Sequence, residues 1–99
     1  MKAKRVVFKS RGVVEVEDFE VNGPQPGYLL IKTVCSLISP GTETAFLMAL
    51  PNTPGVFPQY PGYSNIGIVE DVGENVKDFK RGDFVASAAG HSSYVLVSK

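Results

Sequence analysis

Few side chains in this 99-residue chain could do chemistry, so their types carry most of the information. It has one cysteine, Cys35, and one histidine, His91. With Glu43 these have the donor types of an unorthodox metal site, but the three are scattered. Cys35 lies inside the run Leu29-Leu30-Ile31-Lys32-Thr33-Val34-Cys35-Ser36-Leu37-Ile38, where a small buried thiol is the usual strand occupant. A single cysteine also excludes an intramolecular disulfide and a multi-cysteine zinc centre. His91 reads as a residue at a strand entrance. The hydroxyls are more suggestive: Ser39 and Thr42 in Ser39-Pro40-Gly41-Thr42-Glu43, and Tyr63 in Pro61-Gly62-Tyr63-Ser64-Asn65-Ile66-Gly67. A hydroxyl both gives and accepts a hydrogen bond, the property needed to stabilise charge developing on an oxygen. Thr42 suits a helix cap equally well, and Tyr63 a half-buried strand aromatic. No Gly-x-Gly-x-x-Gly cradle for a dinucleotide occurs; Gly55, Gly62 and Gly67 are separated by prolines and strand residues.

The elements that must hold these residues are mostly strands. Residues 4–9 and 13–19 alternate as a hairpin turning at 10–12, with Val14 and Val16 on one side of the second strand and Glu15 and Glu17 on the other. Two prolines in Asn22-Gly23-Pro24-Gln25-Pro26-Gly27 interrupt the ladder. A long strand over 28–38 follows, apolar enough to be covered on both faces. Ala45, Phe46, Met48 and Ala49 are spaced for a short helix that Pro51 stops. Residues 51–62 contain four prolines and form a stiff loop with aromatic side chains. Strands over 63–71, 84–88 and 92–97 complete the set. Gly73 suits a positive-φ reversal after Val72, and Arg81-Gly82-Asp83 supplies another. The pattern predicts one mainly β domain spanning 1–99, a partly open barrel with one short helix.

Composition narrows the partners. Ten Lys plus Arg balance ten Asp plus Glu, so no charged partner is announced. Lys2, Lys4, Arg5, Lys9 and Arg11 precede Glu15, Glu17, Asp18 and Glu20, which facing hairpin strands explain better than a nucleic-acid arm. No run approaches the roughly 20 apolar residues of a membrane span. The N-terminus lacks a signal peptide's apolar stretch, and a reducing cytoplasm is the expected location.

The run Val69-Glu70-Asp71-Val72-Gly73-Glu74-Asn75-Val76-Lys77-Asp78-Phe79-Lys80-Arg81-Gly82-Asp83-Phe84-Val85 resembles the signature Val-x-x-Val-Gly-x-x-Val-x-x-Phe-x-x-Gly-Asp-x-Val. That signature marks the amino-terminal, GroES-like catalytic domain of medium-chain dehydrogenases and reductases, the family of alcohol dehydrogenases and quinone oxidoreductases. Tyr28-Leu29-Leu30-Ile31-Lys32 and His91-Ser92-Ser93-Tyr94-Val95-Leu96-Val97 resemble two further strands of that domain.

The resemblance implies a GroES-like barrel in an NAD(P)-dependent oxidoreductase that reduces carbonyls or enones by hydride transfer. Zinc-dependent members place a Cys after the long strand and a His-Glu pair in a Gly-His-Glu turn. The matching residues here are Ser39, one residue further from its Gly-Thr step than the usual Cys, then Tyr63 and Ser64. None is a good zinc ligand. The lobe for a structural zinc is likewise reduced to Ala86-Ser87-Ala88-Ala89-Gly90-His91. Zinc is therefore not expected, and the resemblance is to a zinc-independent, divergent branch. Tyr63 is the first candidate to polarise the substrate oxygen, with Thr42, at the family's proton-relaying Thr or Ser, and Ser39 behind it. NAD(P) belongs to a dinucleotide-binding domain absent from this chain, so the expectation is a substrate-side fragment, inactive alone. Its partners are that domain and a small-molecule substrate, and exposed apolar strand surface invites a homo-dimer. The alternative is a stand-alone GroES-like binding or assembly module. Co-chaperones of this fold need a long mobile loop, whereas 22–27 is short and stiffened by Pro24 and Pro26.

Overall fold

The computed structural model describes residues 1–98. Six strands and one helix follow in the order β1 (Lys2–Ser10), β2 (Val13–Glu20), β3 (Tyr28–Ser36), α1 (Pro40–Leu47), β4 (Asn65–Val72), β5 (Phe84–Ser87) and β6 (Tyr94–Ser98). β1 and β2 form an antiparallel hairpin, and the remaining strands a four-stranded antiparallel sheet in the order β5-β4-β3-β6. The predicted hairpin pairs charges as the sequence implied: Lys4 Nζ lies 2.6 Å from Asp18, Arg5 Nε 2.8 Å from Glu17, and Lys9 Nζ 3.2 Å from Glu15. The exposed pairs of Lys4 and Lys9 contribute about 1 kcal/mol or less each, so they select register.

The two sheets do not close into a barrel; a short seam joins them. The Ser93 carbonyl accepts from Thr33 N–H at 2.9 Å, while Ser93 N–H donates to the Lys4 carbonyl at 2.8 Å. Val6 N–H adds a bond to the His91 carbonyl at 2.9 Å, and Phe8 and Gln59 exchange two backbone bonds. The result is the mainly β, partly open architecture that the strand pattern predicts.

The core is small and divided. Ala3, Val21 and Leu30 bury one cluster with Phe19 and Tyr94 against it. Leu29, Ile31 and Val95 bury a second, covered by Val72, Val76, Phe79 and Val85. Four of the valine and phenylalanine positions of the 69–85 signature are thus the lid of one core cluster. Asp83 serves the same segment, its Oδ2 accepting from Lys80 N–H at 3.0 Å and its carbonyl from Val69 N–H at 2.9 Å.

Three local expectations need correction. Gly73 does not use positive φ; that role falls to Asn75, at φ 68°. Gly73 is required because a Cβ there would run into the Gln25 carbonyl, with the Tyr28 carbonyl 3.1 Å away. β3 is buried only over Leu29, Leu30 and Ile31, and its second half is largely exposed. Cys35 therefore reaches the surface and is not a buried strand thiol. β2 likewise leaves both Val14 and Val16 exposed. No helix among the described residues is long and apolar enough to cross a membrane.

Candidate functional site

The helix opens at Ser39, with Pro40 in its first turn, where a fixed φ and a missing N–H cost nothing. Thr42 is not the cap, as one reading of the sequence had it; it sits within the first turn. No side chain caps this helix from the Ser39 position. Glu43 does related work from within the first turn, its Oε2 accepting from the Ser39 N–H at 2.7 Å. This satisfies one of the donors a helix start leaves unpaired and places a carboxylate at the positive end of the helix dipole. Thr44 and Ala45 carbonyls close the other end by accepting from Met48 and Leu50.

The chain then crosses the proline-rich loop, where Ala49 and Asn52 take positive φ and the Phe57–Pro58 peptide is cis. Thr53 Oγ1 donates to the Leu50 carbonyl at 2.7 Å and Gln59 Nε2 to the Val56 carbonyl at 3.0 Å. Between this loop, the helix and the start of β4 lies a cleft of about 330 Å³. Thr42, Glu43 and Phe46 line it from α1, Val56 and Tyr60 from the loop, and Tyr63 from the approach to β4. Its walls are mostly apolar and aromatic, with a few polar groups converging, the usual constitution of a small-molecule site.

Thr42 and Tyr63 therefore share one cavity. Tyr63 is 52% exposed. Ser39 does not line the cleft and meets it only through its bond to Glu43. Tyr60 is held from outside: the Arg5 guanidinium lies 4.2 Å from its ring centroid and 4.5 Å from that of Phe19, while Arg5 Nε bonds Glu17.

Sequence reasoning missed the polar group behind the cleft. Just before β6, His91 donates its backbone N–H to the Pro61 carbonyl at 3.0 Å. Its Nε2 lies 2.7 Å from Glu43 Oε1 and its Nδ1 2.6 Å from Ser36 Oγ. Its side chain is 10% exposed and that of Glu43 12%. The three residues come from separate elements, and no spacing rule joins them. Asn65 supports the same turn: at 1% exposure, its Nδ2 donates to Thr33 Oγ1 at 3.0 Å and to the Gly90 carbonyl at 3.2 Å, while its Oδ1 has no protein partner.

The donor set does not fit zinc. Among the described residues no three of His, Cys, Asp and Glu are grouped to hold a metal ion, and Ser39, Tyr63 and Ser64 offer hydroxyls where thiolate, imidazole or carboxylate would be needed. Among the described residues the one strand-to-helix link, β3 to α1, has the single Gly41 and is not a glycine-rich turn of the kind that holds a dinucleotide's phosphates.

No family model matches the chain. Alcohol dehydrogenase-like 7 of Arabidopsis thaliana is 34% identical over 86 residues, which cover 86% of this chain and 22% of that protein. A solved quinone oxidoreductase of Pseudomonas syringae pv. tomato DC3000 superposes with a TM-score of 0.75 at 30% identity, over 97% of this chain and 31% of that one. CAD from Helicobacter pylori, solved as a complex with NADP(H), gives a TM-score of 0.85 over 99% of this chain and 40% of that one; at 19% identity this is a likeness of fold. The chain spans about a fifth of the length of the curated relatives it matches. A signature whose apolar positions build the core, sequence kinship to alcohol dehydrogenases and a shared fold lead to one conclusion: the chain belongs to the medium-chain dehydrogenase/reductase family, as a GroES-like domain.

Proposed function

We propose that this chain is the substrate side of a longer NAD(P)-dependent, zinc-independent oxidoreductase that interconverts an alcohol and a carbonyl, or reduces an enone. The observation that carries the reading is the cleft itself, which Thr42 and Tyr63 line together with aromatic and apolar side chains. A nicotinamide held by a dinucleotide-binding domain supplies the hydride when bound. This chain supplies the rest of the site. Phe46, Val56 and Tyr60 seat the apolar body of the substrate and exclude water, and Tyr63 donates to the substrate oxygen as negative charge develops there. Thr42 positions that oxygen by giving or accepting a second bond.

The chain alone has no turnover on this reading, because the hydride donor's phosphates have no cradle here. Its exposed strand faces, including Phe84 at 71% exposure, Ile66 and Leu96, are apolar surface for the second domain or for another copy of the chain. An exposed, unpaired Cys35 suits a reducing cytoplasm. The test is Tyr63→Phe in the complete enzyme. Turnover should fall about 100-fold, the low end of what losing one hydrogen bond to a developing oxyanion costs. An unchanged rate removes Tyr63 from the chemistry.

A further inference from the structure

Ser36, His91 and Glu43 stand in the wall between two cavities. Glu43 borders the cleft beside Thr42 and Tyr63. Ser36 borders a second, more open cavity of about 280 Å³ that His91 also lines, with Lys4, Arg5 and Cys35 around it. In the resting chain a carboxylate oxygen and a ring nitrogen 2.7 Å apart share a hydrogen, whichever group nominally owns it. The same holds for Nδ1 and Ser36 Oγ at 2.6 Å.

From this geometry we infer that the Glu43–His91 pair is the proton store of the cleft, and that Ser36 is the positioning residue that makes the store usable. The inference rests on the carbonyl-reduction reading for its substrate. Forming the new C–H bond breaks the C=O π bond and leaves its electron pair on oxygen, which must gain one proton. That proton is the one shared by Glu43 Oε1 and His91 Nε2, passed on from the carboxyl that borders the cleft. After product leaves, a proton from bulk solvent, carried by water in the cleft, refills the pair. In alcohol oxidation the pair accepts the hydroxyl proton instead.

The state of Nδ1 decides whether this works. With a hydrogen on Nδ1, the shared proton can depart and leave a neutral imidazole. With Nδ1 bare, its departure would leave an imidazolate, a far stronger base that would not release it. Ser36 must therefore accept from Nδ1–H and turn its own hydroxyl hydrogen elsewhere. The second cavity gives that hydrogen somewhere to go, since water can accept it there. Of the other charged or titratable groups around the imidazole, Lys4, Arg5 and Cys35 share this cavity, and Glu20, Tyr60 and Tyr94 share the cavity on its other flank.

His91 is the one histidine of the chain, so nitrogen NMR of the 15N-labelled chain reports its ring without ambiguity. The expected result is hydrogen on Nδ1, shifting toward Nε2 in Ser36→Ala and restored in Ser36→Thr. A bare Nδ1 in the unsubstituted chain overturns the inference. In the complete enzyme, assayed with reduced nicotinamide and an aldehyde probe, Ser36→Ala should lower kcat about 10-fold with KM unchanged. Ser36→Thr should recover it, and Glu43→Gln should cost about 100-fold. Because Glu43 also serves the helix start, Ser36→Ala is the deciding variant: unchanged kcat sinks the store. Failure of Tyr63→Phe to slow the enzyme would strike the donor assignment and leave the NMR result standing, so the two readings fail separately.

Discussion

Replacing Gly62 by alanine tests whether the turn before Tyr63 is as tightly built as the structure shows. Gly62 has φ +102°, a conformation that costs a residue with a Cβ about 1 to 3 kcal/mol. The added methyl would also lie 2.9 Å from the His91 backbone nitrogen and 3.0 Å from Gly90 Cα. Neither can move freely. His91 N–H is bonded to Pro61 and its carbonyl to Val6, while the Gly90 carbonyl accepts from Asn65. Forcing a methyl into packed surroundings adds about 1 to 3 kcal/mol. A central value of about 4 kcal/mol, at about 4 to 8 °C per kcal/mol for a domain of this size, lowers the melting temperature by about 16 to 32 °C. Gly23→Ala is the matched control, since a Cβ there meets nothing within 4 Å. Thermal unfolding followed by circular dichroism compares the two. If Gly62→Ala melts within about 3 °C of Gly23→Ala, the argument that this turn holds Tyr63 and His91 in fixed relation is wrong.

Two further outcomes follow from burial. Cys35 should react with a thiol reagent in the folded chain at close to the rate seen in denaturant, and protection until unfolding would contradict its exposed place on β3. Asn65→Asp should destabilise by about 3 kcal/mol at pH 7.5, because the new group cannot donate to Gly90 or Thr33 and an unpaired charge would be buried. Burial raises the folded-state pKa of that introduced carboxyl above its unfolded value, so the loss shrinks as pH falls toward 4, where both states bind the proton. Equilibrium urea unfolding at the two pH values checks the sign, and a loss that is equal or larger at the lower pH would refute it.

The strands were legible because their chemistry is local. Alternation and opposed charges marked β1 and β2, and the 69–85 signature marked the turn, the core valines and the restart at Phe84. The helix was also legible, although Pro40 starts it earlier than the Ala45 to Ala49 spacing implies. Burial along β3 was not, because apolar residues read the same whether covered or not. Only Leu29, Leu30 and Ile31 meet core clusters, whereas Val34 and Cys35 are exposed. Thr42 and Tyr63 could be picked out as hydroxyls, and folding brings both to one cavity. The tie between Glu43, His91 and Ser36 closes over 48 and 55 residues. Such a contact depends on how the helix, β3 and the seam before β6 are assembled, and no short window of sequence contains it.

Arg5 sits on the outer hairpin, yet the ring it grips is a wall of the cleft. Stacking of a guanidinium on an aromatic face is worth about 0.5 to 2 kcal/mol, comparable to what separates a preferred substrate from a poor one in an apolar pocket. The hairpin is thus an outboard adjuster: changes at Glu17, Phe19 or Arg5 can tilt Tyr60 and alter which molecules fit, while every residue facing the ligand stays the same.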